Sequence, residues 1–441
     1  MEDAYIIKGG RSLKGEVKLS GAKNVALKII IAALMFDQEV ILKNIPRIND
    51  VFELFNLIVS LGGKGRFIEK NTVAVDGRTI SKNKIDLIFG SKIRVSFMFF
   101  APLLYRFREC YVPNPGGCRI GARPIDRIVE GMRSLNIKVD YDSTTGYYRA
   151  VMSGEPKGGY RFPKPSHTAT EFLILLSIFG RDKIILDNAA LEPEIDDLIN
   201  FLNSCGADIK RDKDAIVVNP IKKLVQTLPY GIMTDRNEAI TYATLALATK
   251  GDITIFPVRE ELIRAFTDKV IKVGGGVKKI SPDRFRFYYK ADIRPSRVET
   301  SPHPGFMTDW QQNWTVLMTQ AQGESMVVER VFENRFSYIE ELKKLGAKIE
   351  YYDLKVSDPE KYFLFNYDKN KTYRQAIKIS GPQRLHEGVL QVTDLRAGAT
   401  LAIAALMVQG ESVVNGCSIM ERGYEDFVEK IARLGGDIKK V

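Results

Sequence analysis

Four cysteines in 441 residues are too few to brace a fold, and a chain of this length buries enough apolar surface to do without staples. Only Cys110 and Cys118 lie close together. With Cys205 and Cys417 they form no metal-binding spacing. Disulfide scaffolds and zinc sites are set aside, and free thiols in a reducing cytoplasm are expected. Long apolar runs are also missing. Stretches such as "VALKIIIAALMF" from Val25 are interrupted by lysine and are too short for a bilayer, so no membrane insertion is expected. The opening "MEDAYIIKGGRSLKG" lacks the basic start and apolar centre of a secretory signal. Basic runs are absent as well, although the net charge is +11, because 65 Lys and Arg are scattered among 54 Asp and Glu. Nucleic acid, an anionic surface, a small polyanionic substrate or a coat of solvated lysines would each account for that charge. No nucleic-acid motif or basic–aromatic cluster accompanies it.

What the chain does have is repetition. An amphipathic helix, a small turn and a short strand recur from Phe55, Ile128, Leu198, Phe266, Tyr338 and Phe427, for example "FNLIVSLGGKGRF" and "FVEKIARLGGDIKK". Glycine after the last apolar turn is a helix stop signal. The spacing is about seventy residues, longer than common solenoid periods. Ahead of each unit comes a helix that is apolar all round, as in "AKNVALKIIIAALMF" and "TDLRAGATLAIAALMV", and is therefore expected to be buried. The pattern predicts an α/β fold of six βαβαβ-like modules in two similar three-unit domains. A crossover is expected in the Pro- and Gly-bearing segment from Val217 to Ile232.

The first turns of the six inner helices hold Lys23, Arg94, Thr168 with Thr170, Arg236, Asp309 and Arg396. Cations are electrostatically misplaced at helix N-termini, where Asp, Ser or Thr stabilises. Four cations at matched positions make sense if the ends converge on an anion. Any one alone is accounted for as a solvated or salt-bridged side chain. Asp309 reads two ways: as a first-turn carboxylate capped by Thr308, or as a general base among cations.

The stretch "NPGGCRIGARPID" from Asn114 puts Cys118 among glycines and prolines, between Arg119 and Arg123. Nearby cations favour a thiolate, and such a loop reads as a lid carrying chemistry.

Seven segments together resemble one family: "LSGAKNVAL" at Leu19, "PGGCRIGARPID" at Pro115, "NAALEPEI" at Asn188, "TSPHPGFMTD" at Thr300, "VFENRF" at Val331, "TDLRAGATL" at Thr393 and "RGYE" at Arg422. The chain resembles the UDP-N-acetylglucosamine 1-carboxyvinyltransferases, a family of enolpyruvyl transferases, over nearly its whole length. The resemblance implies an inside-out α/β barrel of two domains, each of three βαβαββ-type units with buried inner helices. It implies one domain at 22–232 carrying the cysteine loop (about 112–126), a second formed by 1–21 with 233–441, and an active site in the cleft between them. The implied substrates are phosphoenolpyruvate and UDP-N-acetylglucosamine, with no cofactor, metal or nucleic acid.

The resemblance also implies roles. Asp309 takes the proton of the sugar 3-hydroxyl. Cys118 delivers a proton to the methylene carbon. Lys23, Arg123 and Arg396 hold phosphoenolpyruvate, with Asn24 nearby and Lys23 counted among the catalytic groups. Arg94, the run Arg123, Pro124, Ile125, Asp126 and Arg127, the stretch holding Lys164, Ser166 and Thr168, and Val331 fall on the nucleotide-sugar side. Arg335 is a phosphate-side contact.

Departures from the family stand out. His167 and Thr168 replace a common Val-Gly, and Asn237 and Ala239 stand where an aliphatic residue and glycine are usual. Trp310 and Trp314 flank Asp309, where core packing accounts for them. Two rival readings follow: a paralogue acting on another nucleotide sugar, and a nucleic-acid-binding protein on a related scaffold.

Overall fold

The computed structural model describes residues 3–115 and 125–441. Cys118, Arg123 and Pro124 therefore lie outside the described residues. The chain folds into two compact units, one of 3–20 with 234–441 and the other of 21–115 with 125–233.

Each unit contains three small mixed sheets. Five of the six have four strands and the sixth has three. The fifth repeat shows the plan. Arg297–Glu299 pairs parallel with Gly323–Val328, which pairs antiparallel with Ala376–Gly381, which pairs antiparallel with Ile349–Tyr351. A helix lies between the two parallel strands, as such a crossover requires. In the three-stranded sheet the parallel strand shrinks to a single bridge, Lys84 to Tyr111. The fold is mixed α/β, and none of these sheets closes on itself.

Two strands belong to sheets far from their place in the sequence. Lys14–Lys18 pairs with Asp252–Phe256, and Ala4–Gly9 pairs with both Gly410–Asn415 and Asp437–Lys440. Within 217–232, residues up to Asn219 complete a strand, and Tyr230–Gly231 pairs parallel with Val40–Lys43. The bend at Gly21 is tight. A Cβ there would lie 1.7 Å from the Asn44 carbonyl oxygen and 2.9 Å from its carbon. Backbone cannot swing aside as a side-chain tip can. Gly21→Ala is therefore expected to destabilise by about 1–3 kcal/mol or more, read as a lower denaturation midpoint; an unchanged midpoint would contradict this packing.

Helix burial sorts the elements into two kinds. All thirteen residues of Arg236–Ala248 are buried. Glu260–Lys272 buries one face, through Leu262, Ile263, Phe266, Thr267 and Val270, and carries Lys269 and Lys272 in its last turn. The six outer helices end alike. Gly62, Gly206, Gly274, Gly346 and Gly435 follow them with φ of 96°, 97°, 94°, 89° and 88°, and Asn136 fills the same place at 65°. That left-handed turn is what the repeated glycine predicted, with asparagine as its one substitute.

The inner helices meet through buried polar links as well as apolar contact. In one unit Asn313 donates to Thr241 Oγ1 (3.2 Å), and Thr400 donates to Asn313 Oδ1 (2.6 Å). These residues come from Gln311–Met318, Arg236–Ala248 and Leu395–Met407, so one amide ties three helices. In the other unit Lys28, from Lys23–Ala33, pairs with Glu171, from His167–Ser177, at 2.9 Å.

Candidate active site

The inner helices do not all begin alike. Arg94 opens a 3₁₀ helix, Arg94–Phe99, that leads into Phe100–Phe107, and Asp309 lies in a 3₁₀ turn, Thr308–Trp310. Thr308 does not cap that turn, contrary to expectation. Its hydroxyl donates to Glu329 Oε2 (2.6 Å) and accepts from Arg335 Nη1 (2.9 Å).

Asp235 and Asp394 cap the helices Arg236–Ala248 and Leu395–Met407. Each accepts from two first-turn amides. Arg236 and Arg396 thus follow acidic caps, which offset the unfavourable placement of a cation there. The "TD" ahead of each helix is the sequence signal for these capping carboxylates. Arg236 has a different partner from Arg335 and Arg396. It is fully buried and bonds to His303 Nδ1 at 3.1 Å.

Three predicted residues do come together in the unit that holds 234–441. Arg335 Nη1 lies 2.7 Å from Asp309 Oδ1, and Arg396 Nε lies 3.8 Å from Asp309 Oδ2. Arg335 also faces Asp394 (3.8 Å), and Arg396 faces Asp235 (3.4 Å). Both guanidiniums are buried, while the Asp309 side chain keeps 20% of its surface open. Burial works against the charge on each arginine. Tyr424, Asp235 and Asp309 outweigh it at Arg396, and Asp309, Asp394 and Glu329 at Arg335, so both pKa values rise. Arg396 also stacks on the Tyr424 ring at 5.2 Å. Its Nη1 is buried and has no hydrogen-bond partner among the described residues, a donor that an anionic ligand could take.

The segment after Glu329 is fixed by that carboxylate, which accepts from the amides of Val331 (2.7 Å) and Phe332 (3.0 Å) and from Thr300 (2.8 Å). Burial raises the pKa of Glu329 against the opposing pull of Arg335. Gln312, oriented to satisfy its neighbours, donates to the carbonyls of Thr308 and Asp309 and accepts from Arg335 Nε, each at 3.2 Å. Trp310 and Trp314 are core residues, as expected. Trp310 Nε1 donates to Asn237 Oδ1 at 2.9 Å, so two of the noted departures pair with each other.

The remaining predicted residues lie in the unit of 21–233. Lys23 opens its helix and pairs with Asp50 at 2.9 Å, and Asn24 follows it, partly exposed. Ile125 is buried just ahead of Asp126–Ser134, with Asp126 exposed and Arg127 half-buried. Burial lowers the pKa of Arg127. Lys164, Ser166 and Thr168 are half-buried at the opening of His167–Ser177. Neither Ala22 nor Ser166 supplies a side-chain cap, so the helices after Lys23 and His167 start without a side-chain acceptor on their first amides.

Cys110, Cys205 and Cys417 are buried free thiols. Burial raises the pKa of each, that of Cys417 to about 12, which makes poor nucleophiles of them. Among the described residues no cluster of three or more His, Cys, Asp or Glu is arranged to hold a metal, and no helix is long and apolar enough to cross a membrane.

The family model for EPSP synthase (3-phosphoshikimate 1-carboxyvinyltransferase) matches residues 7–431. A UDP-N-acetylglucosamine 1-carboxyvinyltransferase of Bartonella henselae is 35% identical, covering 100% of this chain and 99% of its own. Its namesake from Halothermothrix orenii is 36% identical, covering 99% of each. The chain belongs to the UDP-N-acetylglucosamine 1-carboxyvinyltransferase family. The resemblance carried by the seven motifs is therefore borne out. The crystal structure of the enolpyruvyl transferase NikO from Streptomyces tendae shares the fold of this carboxyvinyltransferase-family chain. Its TM-score is 0.84 at 20% identity, with 100% of this chain and 99% of that one covered.

Proposed function

We propose that the chain transfers the carboxyvinyl group of phosphoenolpyruvate to the 3-hydroxyl of UDP-N-acetylglucosamine, releasing phosphate. This is the first committed step of peptidoglycan precursor synthesis, carried out in the cytoplasm. The observation that carries the reading is full-length kinship with enzymes bearing that activity in their name. In fold, each unit is read as an inside-out α/β barrel, a reading supported by inner helices that are buried on nearly every side.

In the proposed mechanism the sugar oxygen bonds to C2 of phosphoenolpyruvate as Asp309 takes its proton. The double-bond electrons take a proton at the methylene carbon, delivered by Cys118. The tetrahedral intermediate then loses that carbon's proton, the double bond re-forms and the C2–O bond to phosphate breaks. Arg396 and Lys23, with Arg123, hold the anionic enol ester, and Arg335 serves the phosphate side. Charges fixed before the reaction need little reorganisation as charge shifts. The Nη1 of Arg396, without a hydrogen-bond partner among the described residues, supports its part. Asn24 is proposed to bind near phosphoenolpyruvate, and Arg94, Arg123 to Arg127, Lys164, Ser166, Thr168 and Val331 to hold the nucleotide sugar.

Phosphate release from phosphoenolpyruvate, measured across a panel of UDP-sugars, tests the reading. Release is expected with UDP-N-acetylglucosamine above the others. Preference for another sugar would favour the repurposed paralogue, a reading motivated by His167 and Thr168. No release with any of them would sink both. Cys118→Ser should lower turnover by about 10²-fold or more. The epoxide fosfomycin should add its mass to Cys118 in the parent chain. Full turnover by Cys118→Ala would remove the thiol from the mechanism.

A further inference from the structure

A buried ionic cluster around Glu171 has no part in the proposed mechanism. Glu171 is wholly buried on the helix His167–Ser177 and lies between Lys28 and His167. Lys28 Nζ, itself 4% exposed, comes within 2.9 Å from the helix Lys23–Ala33. His167 Nε2 comes within 3.3 Å from one turn earlier on the same helix. A second carboxylate, Glu192 ahead of Pro193–Ser204, also acts on the imidazole, and its buried Oε2 has no hydrogen-bond partner among the described residues. On adjoining elements Glu130 is taken by the Tyr160 hydroxyl, Arg133 by the Val139 carbonyl, and Asp187 by Arg161.

Such a cluster is a poor stabilising device, because desolvation of buried ions consumes most of their attraction. Its position is more informative. One carboxylate joins two helices whose opening turns hold Lys23 and Asn24 in one case, and Ser166 and Thr168 in the other. With a neutral imidazole, Lys28, Glu171, Glu192 and His167 carry one net negative charge beneath a helix start. With an imidazolium they carry none. A net negative charge there repels an anionic ligand.

We infer that His167 is a positioning residue that sets nucleotide-sugar affinity: as an imidazolium it cancels the charge of the Lys28–Glu171–Glu192 cluster, so that a diphosphate is tolerated at the opening turn of His167–Ser177. The inference rests on the function proposed above. Burial opposes protonation of His167, but Glu171 outweighs it, and its pKa lies above the ordinary histidine value. Affinity for the nucleotide sugar is therefore greatest below that pKa and declines as pH rises through it.

Calorimetric binding of UDP-N-acetylglucosamine between pH 6 and 9 tests this, since its diphosphate diester does not titrate in that range. The dissociation constant of the parent chain should rise about tenfold across the range. His167→Gln should show the weak, high-pH value throughout, and His167→Lys the tight value throughout. The KM for phosphoenolpyruvate should keep the same pH profile in all three. Parallel profiles for the parent chain and His167→Gln would overturn the inference and leave the proposed function standing if phosphate is still released. A histidine-dependent profile without phosphate release from any UDP-sugar would support the inference and remove the proposed function. No binding of any UDP-sugar would overturn both.

Discussion

Asp309→Asn is expected to cut phosphate release by on the order of 10²–10⁴ while the protein stays folded. The amide keeps the shape of the carboxylate but cannot take the proton of a sugar hydroxyl. The fold should survive because Asp309 is the most open member of its cluster. Arg335 keeps Asp394 and Thr308 as partners, and Arg396 keeps Asp235 and the Tyr424 ring. Steady-state kinetics should place the loss in kcat, with the KM for phosphoenolpyruvate changed far less. Turnover within tenfold of the parent, from a protein that unfolds at the same midpoint, would take the general base away from this residue.

Glu171→Gln should have the largest effect on stability, about 3–5 kcal/mol, because it strands the buried Lys28 ammonium. Adding Lys28→Met should restore much of the loss, so the double variant should be more stable than Glu171→Gln alone. The pH dependence has a defined window. Burial pushes the pKa of Glu171 up, but Lys28 and His167 more than reverse it, and the folded value lies below the ordinary one. That contribution is complete above the unfolded glutamate pKa of about 4.3 and is lost as pH falls through the folded value. The raised pKa of His167 acts oppositely. Its contribution is complete below about pH 6.5 and is lost as pH rises through the folded value. The advantage of the parent over Glu171→Gln should therefore peak between about pH 4.3 and 6.5. Denaturant midpoints across pH 3 to 9 check it, and a difference that does not vary with pH would contradict the pairing.

The repeats were legible because they rest on local chemistry. A glycine after each outer helix takes up the left-handed turn, and apolar runs become buried helices. The family was legible for a related reason: its motifs are contiguous strings. The partners of the charged groups were not legible. Arg396 meets Asp235 across 161 residues, and Lys23 meets Asp50 on another helix. No spacing rule announces such a pair. Of the four helix-start cations, Arg236 and Arg396 follow acidic caps, whereas Lys23 and Arg94 follow Ala22 and Ile93. Thr308 is a second case of a partner distant in sequence. As a hydroxyl ahead of a helical turn it looked like a cap, but the buried Glu329, 21 residues on, competes successfully for it.

The placement of strand Ala4–Gly9 constrains how the molecule is made. Its hydrogen-bonding neighbours, Gly410–Asn415 and Asp437–Lys440, leave the ribosome only after all of residues 21–233. The described strands of residues 21–233 have all their sheet partners once that stretch has emerged, whereas Ala4–Gly9 must wait for Gly410–Asn415 and Asp437–Lys440. Until then it is an unpaired edge. A nascent chain halted after residue 233 should hold one protected lobe behind a protease-sensitive leader.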